Sequence, residues 1–311
     1  MTSSSREHLL GVVGVLVASI VWGTTGTAAT FAPDVSAAAI GAAAMGLGGL
    51  LQAAFAAKSI MRSRRSLKEQ WRCLLLGAVA VGIYPLAFYG SMRLAGVTIG
   101  TVVSIGSAPL LSALIEYRFD GLRLTARWMM GAALGLAGML LLCLAEGGSH
   151  GPAEMSSHVV EGVMLGLLAG LTYAMYSWSA RRLMQRAIPS RAAMGATFGI
   201  GGLLLMPVLF VTGAPLLASW SNAAVGLYMA LVPMFFGYIC FGYGLARIPA
   251  SSATTISLFE PVFAAVLAVV IVGERLPVLG WTGIALVVAC LICITAPAKA
   301  ARSPIKSAAA Y

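Results

Sequence analysis

Apolar residues run along the chain in ten long stretches, at approximately 9–31, 36–57, 73–92, 99–117, 128–145, 162–180, 192–212, 223–245, 252–272 and 277–297. An α-helix takes about 17–25 residues to cross roughly 30 Å of bilayer hydrocarbon, and every stretch falls within that range. The pattern predicts an all-α integral membrane protein of ten transmembrane helices. The first stretch follows Arg6, and its apolar run exceeds the about 7–15 residues of a signal-peptide core, so it is expected to be a retained helix. Residues Lys299–Tyr311 read as a disordered tail.

Composition agrees with a lipid solvent. Only 10% of the 311 residues are charged, 59% are apolar, and the mean hydropathy is +0.92. A soluble domain carries about 25% charged residues. The net charge of +10 is not a nucleic-acid signal, because the basic residues sit in short clusters between apolar stretches. With ten spans both termini share one side. Placing that side in the cytoplasm puts 18 of the 20 Lys and Arg residues inside and leaves only Arg93 and Arg275 outside. The segment Glu146–Glu161 holds three Glu and neither Lys nor Arg, as an exterior loop would. The positive-inside rule therefore predicts cytoplasmic termini. Trp71 and Trp128 fall at the inner interface and Trp220 and Trp281 at the outer one, where indoles anchor. The Cys290-x-x-Cys293 pair lies in an apolar stretch with no flanking His or acid, so it reads as packing rather than metal or redox chemistry.

The chain also repeats itself. A shift of 152 residues places Pro109 on Pro261, Gly90 on Gly242, Gly121 on Gly273, Arg123-Leu124 on Arg275-Leu276, Gly131 on Gly283 and Gly14 on Gly166. Each copy holds five helices, an odd number, so the second must enter the membrane inverted. The expected organisation is a first repeat over 1–150, an inverted second repeat over 151–298, and a cytoplasmic tail over 299–311. Secondary transporters use such inverted repeats and place substrate near the midplane between them.

These residues resemble a known family. Trp22-Gly23, the Pro109 and Pro261 helices, Glu260-Pro261, Gly273-Glu274-Arg275-Leu276 and Gly283 are similar to the drug/metabolite transporter superfamily, in its ten-helix EamA-type branch. The pattern looks closest to the bacterial aromatic amino-acid exporters of that branch. The resemblance implies cytoplasmic termini and export of amino acids or other metabolites. One departure is visible: the first half has Gly121-Leu122-Arg123 where the second has Gly-Glu-Arg.

Candidate site residues follow from depth and polarity. Glu260 is the only charged residue well inside a stretch, about 12 Å from the cytoplasmic end of its helix. An ionisable group there costs roughly 2.5–3.5 kcal/mol to insert and is a functional candidate by default; a structural carboxyl beside the Pro261 kink is the other reading. Pro109 and Pro261 each remove a backbone donor and free the carbonyl four residues earlier, of Ile105 and Ser257. Two disturbed helices at equivalent repeat positions point to the binding region, so Pro109, Ser257, Glu260 and Pro261 are the coupling or gating candidates. Tyr84 and Phe88 share one helical face, as do Ser104 and Ser107. With Trp22, Tyr173, Tyr176, Phe236 and Tyr238 they make the substrate-binding candidates, expected to line an aromatic, uncharged cavity. A midplane Tyr must satisfy its hydroxyl within protein or cavity.

Absences narrow the function. No midplane Arg or Lys is available to hold a phosphorylated substrate, no His lies inside a stretch, and no phosphate-binding Gly-Lys-Ser/Thr motif supplies ATP drive. The sequence therefore predicts a secondary transporter, not an enzyme, without cofactor or catalytic residues. Its partners are a small-molecule substrate and the lipid bilayer. The expected substrates are amino acids, aromatic ones included, or similar metabolites. The alternative is a multidrug exporter of lipophilic cations with Glu260 as countercharge.

Overall fold

The computed structural model describes residues 3–147, 157–267, 269–270 and 276–295. Among these residues the chain is helical throughout, without strands. Eight helices are long and apolar enough to cross a membrane: α1 (Arg6–Ala29), α2 (Ala37–Arg62), α3 (Trp71–Ala95), α4 (Ile99–Asp120), α6 (His158–Gln185), α7 (Ser190–Thr212), α8 (Trp220–Leu245) and α9 (Ala250–Leu267). Two further apolar helices complete the described chain, α5 (Ala126–Gly147) and α10 (Val278–Thr295). The Gly273-Glu274-Arg275 triplet, the tail 299–311 and most of the acidic Glu146–Glu161 segment lie outside the described residues.

Local chemistry sets the helix ends. Ser36 opens α2 by accepting the Ala39 N–H, and Ser219 opens α8 by accepting that of Asn222. Pro189 and Pro249 stand at the start of α7 and α9, where a missing donor costs nothing. Gly121 ends α4 at φ +67°, a left-handed conformation that L side chains adopt at a cost.

Packing is built on small residues, as it is where lipid removes the hydrophobic drive for helix association. Helix α2 lies against α7 so closely that a Cβ on Gly49 would come 2.2 Å from the Phe198 carbonyl oxygen. At the α5–α10 contact, Cβ atoms on Gly138 and Gly283 would each stand 2.6 Å from the other's carbonyl oxygen. Helix α3 packs along α6, α4 packs on α6 and α9, and α1 packs on α8 and α9. The outward faces carry large apolar side chains, Phe210 and Val211 of α7 being 85% and 84% exposed. Such surface suits lipid and not water.

Four helices depart from regular geometry. Helix α1 breaks at Gly23-Thr24, and α9 at Ser257-Leu258. Helices α2 and α8 contain π-helical turns, at Ala42–Leu47 and Ala230–Phe236, the latter around Pro233. Helix α4, by contrast, runs through Pro109 without interruption. The helices of Pro109 and Pro261, equivalent under the 152-residue shift, therefore differ in shape.

Candidate functional site

The irregular turns of α1, α2, α8 and α9 surround one region. A Cβ on Gly23 would come 2.8 Å from the Glu260 carbonyl oxygen, so the break in α1 seats directly on the start of the second segment of α9. The π turn of α8 presents carbonyls to side chains: Trp22 Nε1 donates to Pro233 O at 2.9 Å, and Gln52 Nε2 to Met234 O at 3.1 Å. Among π-turns, many mark functional sites. Removing the Pro261 N–H does not orphan the Ser257 carbonyl, which accepts from the Glu260 N–H at 3.0 Å.

Between these helices lies a cavity of about 460 Å³, adjoining, with shared lining residues, a deeper chamber of about 50 Å³. The larger chamber is bounded by Ala32, Pro33 and Val35 of the α1–α2 connection, by Phe88, Tyr89 and Met92 of α3, and by Thr101 and Ile105 of α4. It lies toward the end of the bundle that holds the α1–α2 connection, away from the basic α2–α3, α4–α5 and α6–α7 connections. The deeper chamber is walled by Tyr84, Tyr173, Tyr176, Tyr238, Met45 and Met234. Trp22, Thr25, Phe88, Tyr89 and Glu260 line both.

The floor is an aromatic stack. Tyr173 and Tyr176 stack at 5.2 Å between centroids, Tyr84 meets both at 5.7 and 5.8 Å, and Trp22 meets Tyr173 edge-on at 6.5 Å. Phe198 and Phe241 close the layer against Tyr238. The hydroxyls inside it are mostly committed. Tyr173 donates to Ser257 Oγ at 2.9 Å, and Tyr176 and Tyr238 share a hydrogen bond of 2.8 Å. Glu260 is the one acidic side chain among the lining residues, no lining side chain is basic, and its carboxyl has no hydrogen bond or ion pair among the described residues.

The structure thus brings Trp22, Tyr84, Phe88, Tyr173, Tyr176, Tyr238, Glu260 and Pro261 to one cavity. Ser257 stands behind it as the partner of Tyr173. Four expected residues are elsewhere. Ser107 faces Gly170 in the α4–α6 contact, where a Cβ on that glycine would collide with its Oγ and meet the Ser104 carbonyl oxygen, and the buried Ser104 side chain does not line the cavity. Phe236, on the π turn of α8, is 47% exposed and does not line the cavity. Pro109 is buried within α4 and also lies off the lining. Tyr89, Thr25, Thr101 and Met234 are lining residues that sequence reasoning passed over.

Below the aromatic floor, the basic end of the bundle is tied by charge. Glu116 of α4, 2% exposed, accepts from the Ala250 N–H at 2.7 Å, the Ser251 N–H at 3.0 Å and the Ser251 hydroxyl. It therefore caps the start of α9, where a helix presents orphan donors. Arg181 of α6 lies 3.9 Å from Glu116 and donates to Leu245 O at 2.7 Å and to Ile248 O, closing the end of α8. Asp120 adds a second tie, accepting from Trp178 Nε1 at 2.7 Å and pairing with Arg182.

A bundle of long apolar helices around an internal cavity, sealed at one end, is the geometry of a solute carrier, and comparison with known proteins decides the matter. The model of the EamA-like transporter family matches twice, over residues 9–144 and 160–296. The chain belongs to the EamA-like transporter family. This makes it a multi-pass membrane transporter of the drug/metabolite transporter superfamily. It is 33% identical over 286 residues to the uncharacterized transporter YwfM of Bacillus subtilis (strain 168), covering 91% of this chain and 92% of that one. It is 27% identical over 285 residues to a probable terminal-alkyne amino-acid exporter of Streptantibioticus cattleyicolor, covering 86% and 91%. It is 29% identical over 269 residues to the threonine/homoserine exporter RhtA of Escherichia coli (strain K12), covering 86% and 85%.

Proposed function

We propose that this EamA-like protein is a secondary transporter that exports amino acids, aromatic ones included, or similar small metabolites by alternating access. The observation that carries the reading is the Glu260 carboxyl, unpartnered among the described residues, in a neutral, aromatic-walled cavity. A substrate ammonium supplies the donor that this carboxyl lacks, and rings such as Phe88 and Trp22 offer faces to an apolar side chain. The larger chamber, about 460 Å³, falls within the range of small-molecule sites. Two of the three relatives above bear names of amino-acid exporters.

Alternating access requires two related halves. The double match of the family model supports the division into 1–150 and an inverted 151–298. Helix contacts support it further. Under the 152-residue shift, Gly131 facing Cys290 and Ile294 becomes Gly283 facing Gly138 and Leu142, and both contacts are present. Likewise Gly14 facing Tyr243 becomes Gly166 facing Ser91. In this reading ten helices cross a bacterial cytoplasmic membrane, both termini and the 299–311 tail are cytoplasmic, and the cavity faces outward. The Glu116–Arg181 tier then seals the cytoplasmic side. Its equivalents in the other half are Ala268 and Ala29, so the outer side has no matching charged tie. Opening inward means parting α4 and α6 from α8 and α9. The drive is the solute gradient or a proton gradient.

A second reading is export of lipophilic cations. It is favoured by the absence, among the described residues, of any basic side chain in the lining to receive a substrate carboxylate, and by the rings around Glu260, which suit cation–π contact. Uptake of a labelled amino-acid panel into proteoliposomes, with a lipophilic cation in parallel, separates the two. Saturable amino-acid uptake supports the first, and uptake of the cation alone replaces it with the second.

A further inference from the structure

An amino acid brings a carboxylate as well as an ammonium, and a cavity lined by neither Arg nor Lys among the described residues must hold that carboxylate with neutral donors. Most of the polar hydrogens around the cavity are already spent. The Trp22 indole donates to Pro233, Tyr173 to Ser257, and the Tyr176 and Tyr238 phenols bond each other. Two phenols in the lining have no hydrogen-bond partner among the described residues, Tyr84 and Tyr89. They differ in what they reach. Tyr84 lines only the deeper chamber of about 50 Å³, which has room for little more than water. Tyr89 lines both chambers, as Glu260 does, and so meets whatever occupies the larger one.

The ring of Tyr89 is also held in place. Its Cδ2 and Cε2 atoms occupy the space that a Cβ on Gly41 of α2 would take, at 2.6 and 2.5 Å, and its ring meets Phe88 edge-on at 5.2 Å. A phenol held in place and a carboxyl on the same lining give one cavity both a hydrogen-bond donor and an acceptor. Threonine hydroxyls also line it, at Thr25 and Thr101, but a phenol is the stronger donor, and helical threonines tend to bond their own backbone.

We infer that Tyr89 is the carboxylate-binding residue of the cavity, and that it selects zwitterionic amino acids over the corresponding amines. The inference rests on the amino-acid reading above and names the group that makes it chemically complete. A phenol donating to a carboxylate forms a charge-assisted hydrogen bond, the kind whose loss costs an affinity factor of about 10 to 100.

The test compares phenylalanine with phenylethylamine, which keeps the ring and the ammonium and lacks the carboxylate. Binding of each to purified full-length protein in nanodiscs is measured for the unaltered protein and for Tyr89→Phe, which keeps the ring and its contact with Gly41. The expected result is at least tenfold weaker binding of phenylalanine and unchanged binding of phenylethylamine. Gly41→Ala, which displaces the ring, should show the same selective loss. Equal losses for both ligands, or no loss for phenylalanine, would overturn the role of Tyr89 while leaving the amino-acid reading intact. Failure of the unaltered protein to bind any amino acid would overturn that reading, and this inference with it.

Discussion

Replacing Glu116 by glutamine removes half of the tie at the basic end of the bundle while changing almost no volume. The carboxylate accepts two backbone N–H groups from the first turn of α9, at 2.7 and 3.0 Å, together with the Ser251 hydroxyl, and stands 3.9 Å from Arg181. A glutamine keeps one oxygen but turns an N–H₂ group toward a backbone donor. One charge-assisted bond is lost, at about 1.5–3 kcal/mol, and Arg181 loses its countercharge. Taken together, about 3 kcal/mol of closure is removed, on the order of a hundredfold in the local opening equilibrium. Hydrogen exchange followed by mass spectrometry reads this directly, because amide exchange reports local opening. Peptides covering Ala250–Ile256 of Glu116→Gln should exchange about a hundred times faster, while those from Gly195–Leu205 in the α2–α7 contact keep their rates. Unchanged exchange at Ala250–Ile256 would refute the idea that Glu116 holds α9 closed. Uniformly faster exchange would show general destabilisation in place of a local tie.

Other expectations concern the cavity and the topology. Glu260→Gln keeps an acceptor oxygen but loses the charge, so apparent affinity for amino acids should fall by less than about tenfold, while any transport of a lipophilic cation without N–H groups is abolished; titration of both substrates on matched amounts of folded protein in liposomes checks this. Phe88→Ala removes a ring that lines both chambers, and should weaken phenylalanine by up to roughly tenfold and threonine, which has no ring to stack, by less. Activity reporters after Tyr311 and at Arg64 should register cytoplasm and one near Gly151 the exterior; an exterior C-terminus would remove the ten-helix topology and the inverted repeat together.

Much of this architecture is written plainly in the chain, because lipid enforces a strong local rule. A spanning helix must be apolar along its whole length, so the positions of α1–α4 and α6–α9 follow from composition alone. The aromatic floor was legible for a related reason. A tyrosine at midplane depth needs a partner inside the protein, and Tyr173, Tyr176 and Tyr238 find theirs in Ser257 and in each other. What the sequence hides is rotation and irregularity. Ser104 and Ser107 share a face, but nothing local says that Ser107 meets Gly170 rather than the cavity. Tyr89 lies off the face shared by Tyr84 and Phe88, and its access to the cavity depends on the bare Gly41 of another helix. Glu116 sits one turn from a helix end among Tyr117, Arg118 and Asp120, so it reads as part of a solvated cluster, and only tertiary packing buries it against α9. The break in α1 needed the neighbouring α9 to give Gly23-Thr24 a purpose.

The central claim, that the protein carries amino acids by alternating access, is tested most directly by counterflow. Proteoliposomes are preloaded with unlabelled phenylalanine and diluted into a trace of labelled phenylalanine. A carrier that must turn over with substrate on either side will concentrate the label transiently, above the level reached in unloaded vesicles, and excess unlabelled threonine outside will reduce it. Label that only equilibrates, at the same rate in loaded and unloaded vesicles, would contradict the account and indicate a passive pore or a protein with another substrate.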